Sequence, residues 1–130
     1  MIKFSYTIFY VKDVEASLRF YETAFGFSRK FISPDGQYGE LSTGNTTLSF
    51  ASTVLAKSNL SDGFVESSLA KKPFAVEIGF TTSEVELMVK SAIKAGAKLL
   101  ENAKTKPWGQ TVAYVRDPDG FLIEICTPMS

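Results

Sequence analysis

Apolar and polar positions alternate over residues 3–11. Phe4, Tyr6, Ile8 and Tyr10 share one parity, and Ser5, Thr7, Phe9 and Val11 the other. Aromatic and β-branched residues in such a run suit a pleated, half-buried surface, so the pattern predicts a strand. The period then changes. Val14, Leu18, Tyr21 and Phe25 recur at spacings of four, three and four, the apolar stripe of a helix. Asp13 stands where a side-chain oxygen can accept the free N–H groups of a first helical turn, and Gly26 where a left-handed residue ends the helix. Three short strands are predicted next, over 27–32, 38–42 and 46–52. Ser33-Pro34-Asp35-Gly36 and Thr43-Gly44-Asn45 separate them, both turn sequences of hairpin length.

Residues 53–72 are the least regular part of the chain, rich in Ser, Lys, Asn and Asp. They read as a connector, with a short helix around 64–70. After it the pattern restarts. Residues 74–81 read as a strand. Ser83-Glu84-Val85-Glu86 has the spacing of a capping box. Val85, Met88, Val89 and Ala92 form a helical apolar face that Gly96 closes, and 98–100 form a short strand. Residues 111–116 and 121–127 form a hairpin around Asp117-Pro118-Asp119-Gly120, a type I turn sequence. The order is therefore β-α-β-β-β twice, with modules at 1–52 and 73–130, a connector at 53–72 and one compact domain overall. Spacing supports the repeat: Tyr6 to Gly26 spans 20 positions and Glu77 to Gly96 spans 19.

Composition narrows the chemistry. The chain has 130 residues, 45% hydrophobic and 22% charged, enough apolar matter for a core without metal or disulfide. The 14 basic and 14 acidic residues balance, which argues against nucleic acid or an anionic membrane as partner. No histidine is present, so a Ser-His-Asp triad, an HExxH zinc site or a histidine base is impossible. The single cysteine, Cys126, cannot form an internal disulfide, and a reducing, cytoplasmic setting is expected. Residues 1–4 run straight into strand-like sequence, so no secretory signal is expected. No apolar run reaches the ~18 residues that span a membrane. The glycines form no phosphate-binding loop pattern.

Glu77 and Glu124 are the most informative residues, because each interrupts an apolar strand: Phe74-Ala75-Val76-Glu77-Ile78 and Phe121-Leu122-Ile123-Glu124-Ile125. A carboxylate so placed faces water, pairs with a basic residue, or meets something that compensates it. By parity Ala75, Glu77 and Gly79 share a face, as do Leu122, Glu124 and Cys126. Trp108, beside Gly109 at a strand entrance, either walls a pocket for a planar ligand or packs between sheets. Tyr6, Tyr10 and Tyr38 can join such a pocket. Phe4, Phe20, Phe25, Phe50, Phe74 and Phe80 read as core. Cys126 has no base to activate it and reads as a buried small hydrophobe.

The segment 10–21, closing with Phe25-Gly26-Phe27, resembles the opening signature of the vicinal oxygen chelate superfamily, which includes glyoxalases, bleomycin-resistance proteins and extradiol dioxygenases. Glu77-Ile78-Gly79-Phe80 with Ala95-Gly96-Ala97 resembles the start of its second module, and Asp117-Pro118-Asp119-Gly120-Phe121-Leu122-Ile123-Glu124 its last hairpin. The resemblance implies an α+β fold of two βαβββ modules whose curved sheets enclose a cleft, often in a homodimer. Metal-dependent members carry ligands at four positions, which fall here on Tyr6, Ser49, Glu77 and Glu124. Two carboxylates without an imidazole are a poor set for a transition metal. The expectation is therefore a metal-free, cofactor-free protein of the bleomycin-resistance type, binding a planar or cationic small molecule through Tyr6, Tyr10, Tyr38, Ser49, Glu77, Trp108 and Glu124. The alternative is a lyase, isomerase or dioxygenase-type enzyme. It would use Glu77 or Glu124 as catalytic base or as ligand of a recruited divalent metal.

Overall fold

The computed structural model describes residues 1–129. Among these, the order is β1 (Thr7–Val11), α1 (Val14–Phe25), β2 (Ser28–Ile32), β3 (Tyr38–Ser42), β4 (Thr47–Ser52), α2 (Thr53–Asn59), β5 (Glu77–Thr81), α3 (Val85–Ala95), β6 (Lys98–Thr105), β7 (Thr111–Arg116) and β8 (Leu122–Cys126). The chain divides into two compact units. The first holds Met1–Glu22 and Gly26–Glu66; the second holds Thr23–Phe25 and the chain from Ser67 onward. Each contains a four-stranded mixed sheet, ordered β1-β4-β3-β2 in the first and β5-β8-β7-β6 in the second. The α+β fold of two βαβββ modules is thus the one observed.

In the first unit β1 pairs with β4 in parallel, and the hairpins β2-β3 and β3-β4 are antiparallel. The parallel pair follows from the helical crossover after β1. Asp13 caps α1, its Oδ1 accepting from the Ala16 N–H at 3.1 Å, and Gly26 ends the helix in the left-handed conformation. The apolar stripe of α1 delivers Val14, Leu18 and Tyr21 to a core with Val11, Leu41 and Phe50, all essentially inaccessible. The Tyr21 and Phe50 ring centroids are 5.3 Å apart. Gly39 is needed for this approach: a Cβ there would lie 2.7 Å from Leu18 Cδ1. Arg29 on β2 donates to Glu15 and Glu22, tying the polar side of α1 to the sheet.

The second unit repeats the plan. β5 and β8 are parallel, and β6-β7 and β7-β8 antiparallel. Ala92 of α3 and Ala113, Val115, Ile123 and Ile125 of the sheet are fully buried. The 117–120 turn closes as its sequence requires. Asp117 Oδ1 accepts from the N–H groups of Asp119 and Phe121, both at 2.9 Å, and Gly120 has φ 98°.

Local readings differ from the structure in five places, the first being that residues 74–76, expected in a strand, lie outside β5, which begins at Glu77. Residues 3–6, expected as the start of the first strand, are not in β1, because the partner strand β4 begins only at Thr47. Phe4, expected in the core, is accordingly 84% exposed. The short helix expected over 64–70 is found instead at Thr53–Asn59, where Ser52 Oγ accepts from the Leu55 N–H. The capping box of Ser83 and Glu86 does not form: Glu84 is the cap residue, and Thr82 Oγ1 accepts its N–H at 3.0 Å. The strand expected at 98–100 runs on to Thr105, through two register shifts.

Arg116, which no sequence pattern marked, secures the segment that enters the second unit. It is 3% exposed. Its Nε donates to Gly120 O at 2.9 Å, Nη1 to Lys71 O at 2.6 Å and Nη2 to Ser68 O at 2.9 Å. A buried guanidinium is thus satisfied by three carbonyls, which themselves gain charged donors.

Candidate functional site

Strand parity builds a polar face in each unit. In the second unit the alternate residues Ile123, Ile125, Ala113 and Val115 fill the core beneath α3. Their neighbours Glu77, Gly79, Glu124, Cys126 and Tyr114 occupy the opposite face. The register sets Gly79, Glu124 and Tyr114 side by side on β5, β8 and β7. Glu77 is exposed and Glu124 half-buried. Tyr114 Oη donates to Glu124 Oε2 at 2.9 Å, and Cys126 Sγ donates to Glu124 Oε1 at 3.3 Å. Gly79 leaves room here, since a Cβ on it would lie 3.6 Å from Glu124 Oε1. Among the described residues neither carboxylate has a lysine or arginine partner.

Burial, the Glu124 charge and a hydrogen bond with Glu124, in that order, raise the Glu77 pKa, while Tyr114 opposes the rise. Burial and then Glu124 push the Tyr114 phenol up to about 12 and the Cys126 thiol to about 11. Both therefore remain protonated donors at neutral pH, and Cys126 is no nucleophile. A carboxyl whose value is higher folded than unfolded contributes stability that is present below the unfolded value and lost as pH rises through the folded one. Glu77→Gln is thus expected to become more stable relative to the parent as pH rises from acid to neutral. Chemical denaturation at a series of pH values checks this; a relative loss at neutral pH would contradict it.

In the first unit, Ile8, Ser49 and Glu40 are register neighbours on the face turned from α1. Ser49 is fully buried beside Tyr38. Tyr38 Oη donates to Glu40 Oε2 at 2.7 Å, and Lys30 Nζ lies 3.8 Å from Glu40 Oε1. Burial chiefly pushes the Tyr38 phenol up to about 12; nearby Ser49 opposes this, and Glu40 adds to it.

The structure brings Glu77 and Glu124 together in one unit, and Tyr38 and Ser49 together in the other. Tyr6 precedes β1 and is half exposed. Tyr10 is half-buried, its ring centroid 4.8 Å from that of Phe64, which gives it a packing role. Trp108 lies exposed in the β6-β7 loop, its Nε1 donating to Gln110 Oε1 at 2.8 Å, beside a pocket of about 150 Å³ lined also by Gly109, Pro128 and Met129. Sequence reasoning missed Tyr114 and Glu40. Counting back from the 117–120 turn sets Tyr114 opposite Glu124, so that signal was available.

Glu124 already accepts a hydrogen bond on each oxygen, and the chain has no imidazole. Among the described residues no group of three or more Cys, His, Asp or Glu could hold an ion. These residues do not fit a transition-metal site of the glyoxalase kind.

Two βαβββ units of this topology, with polar clusters on the helix-free faces, define a protein of the vicinal oxygen chelate class. The chain belongs to the glyoxalase-like domain family, whose model matches residues 4–130. It is similar to a "Putative lactoylglutathione lyase" of Brassica oleracea var. gemmifera, 27% identical over 128 residues. That match covers 95% of this chain but only 43% of the relative, so the chain spans about two fifths of its length. Among solved structures, a glyoxalase-related enzyme from Fulvimarina pelagi is 24% identical with a TM-score of 0.83, covering 98% of this chain and 89% of that one. A glyoxalase/bleomycin resistance protein/dioxygenase family enzyme from Burkholderia phytofirmans PsJN is 27% identical with a TM-score of 0.78, covering 96% and 98%.

Proposed function

We propose that this chain binds a cationic small molecule without metal, as a sequestering protein of the bleomycin-resistance type. The observation that carries the reading is the Glu77–Glu124 pair. Two carboxylates share one sheet face, no basic residue among those described pairs with either, and two donors, Tyr114 and Cys126, fix the orientation of Glu124. A cation on this face would supply the missing counter-charge. The buried free thiol of Cys126 supports a reducing, cytoplasmic setting, and the balanced charge argues against nucleic acid or an anionic membrane as partner. Among the described residues no helix is long and apolar enough to cross a membrane.

A second reading, a lyase or isomerase with Glu77 as general base, draws on its raised pKa and on the name of the Brassica relative. A thermal-shift screen of matched organic cations and anions, with elemental analysis of the purified protein, separates the two. Sequestration predicts stabilisation by cations alone, ~2.7 kcal/mol at 100 times Kd, with no stoichiometric metal. Preference for anions would refute it. Turnover of a cationic compound lost in Glu77→Gln would favour the base.

A further inference from the structure

Given the cation binding proposed above, we infer that Gly79 is the specificity-determining residue of the acidic face. It keeps open a notch beside Glu124 that admits a compact head group, a primary ammonium or a flat amidinium, and excludes a quaternary ammonium. Glycine weakens a strand interior, so its presence there needs a cause. Of the nine glycines in the chain, seven have a positive φ that favours glycine. Gly39 has none, but a Cβ on it would lie 2.7 Å from Leu18 Cδ1. Gly79 has neither cause. Its φ is not positive, and beyond its chain neighbours a Cβ would meet only Glu124 Oε1, at an ordinary 3.6 Å. A strand glycine that neither turn nor packing requires marks a place where a ligand comes close to the backbone.

The register gives the notch its walls. On this face β5 presents Glu77, Gly79 and Thr81, all exposed. Glu77 aligns with Leu122 of β8, Gly79 with Glu124 and Thr81 with Cys126. Side chains of one face stand about 6–7 Å apart along a strand and about 4.8 Å apart across strands. The missing side chain therefore leaves a gap one small group wide, with Glu77 before it, Thr81 after it and Glu124 beside it.

The chemistry of the gap selects the head group. Tyr114 Oη donates to Glu124 Oε2 and Cys126 Sγ to Oε1, so the carboxylate is held in one orientation. Each carboxylate oxygen can accept two hydrogen bonds, which leaves Oε1 one acceptor site beside the gap. A nitrogen seated slightly nearer than the absent Cβ would meet Oε1 at the ~2.7–2.9 Å of a charge-assisted bond. Ammonium and amidinium groups carry the N–H donors for this bond. A quaternary ammonium carries none, and its methyl groups are too bulky for a gap of this width.

Isothermal titration of the full chain and of Gly79→Ala with benzylamine, benzamidine, benzyltrimethylammonium and benzoate tests this, together with urea denaturation of both proteins. The parent is expected to bind the amine and the amidine roughly tenfold tighter than the quaternary compound. Gly79→Ala should weaken both by a similar factor, while its urea midpoint stays equal or rises. A lowered midpoint would show that the fold itself needs the glycine, and would overturn the inference. So would unchanged affinity of Gly79→Ala for the amine and the amidine, or a quaternary compound bound as tightly as they are by the parent; both results leave cation binding standing. Benzoate bound best, or no cation bound at all, would remove cation binding itself and the role of Gly79 with it.

Discussion

Replacing Arg116 by alanine is expected to destabilise the protein by about 3–5 kcal/mol, seen as a lower urea midpoint at little-changed slope. The guanidinium makes three hydrogen bonds to the carbonyls of Gly120, Lys71 and Ser68. Bonds from a charged donor contribute roughly 1.5–3 kcal/mol each, and buried carbonyls left without partners cost more than exposed ones. Water entering the space recovers part of the loss, which keeps the figure below the full sum. Domains of this size have about 5–15 kcal/mol in hand, so the loss is a large share. Arg116→Lys should be intermediate, because an ammonium cannot reproduce the fork. A loss under about 1 kcal/mol for the alanine variant would show that water replaces the three bonds. Gly120 belongs to the same arrangement: a Cβ there would lie 2.7 Å from the backbone carbon of Ser68 and 2.9 Å from Arg116 Nη2.

The second large effect is expected at Glu124. Glu124→Gln should weaken a bound organic cation ten- to a hundredfold, which corresponds to ~1.4–2.7 kcal/mol. It should leave the empty protein as stable or more so. The amide keeps the size of the side chain and its acceptor toward Tyr114, but removes the negative charge beside Glu77. The charge-assisted bond to the cation is lost, while the repulsion between the two carboxylates disappears. Isothermal titration with the best cation from the screen, paired with denaturation of the empty protein, measures both. Unchanged affinity would move the binding site away from this face. Lower stability of the empty variant would mean that the charge of Glu124 is compensated in the native state.

Much of the fold could be read from the chain because period-2 and period-3.6 patterns alternate cleanly. The α1 stripe of Val14, Leu18 and Tyr21 forms the first core as its spacing demands, and Asp13 and Gly26 bound that helix. Glu77 and Glu124 share a face because parity alone assigns each side chain to one side of its strand. Where reading failed, the deciding factor lay elsewhere in the chain. Phe4 has the right pattern for a strand, but pattern does not reveal that the pairing of β4 with β1 begins only at Thr7. The Ser83 box has the right spacing, but the helix takes Glu84 as its cap residue, one position later than the box requires. Arg116 looked like a charge at a strand end; its three carbonyl partners lie up to 48 positions away, beyond any local signal. Tyr10 offered the same chemistry as Tyr38, yet one packs on Phe64 and the other bonds Glu40.

The two units carry one device at different places. A tyrosine of the middle antiparallel strand donates to a glutamate, Tyr38 to Glu40 within β3 and Tyr114 to Glu124 across β7 and β8. In both units these groups occupy the alternate positions that do not feed the core. Selection can therefore rewrite the polar side of either sheet, one strand position at a time, while the helix-facing residues keep their packing. Such separation lets the specificity of either sheet change before foldability is lost, and lets the two units change independently.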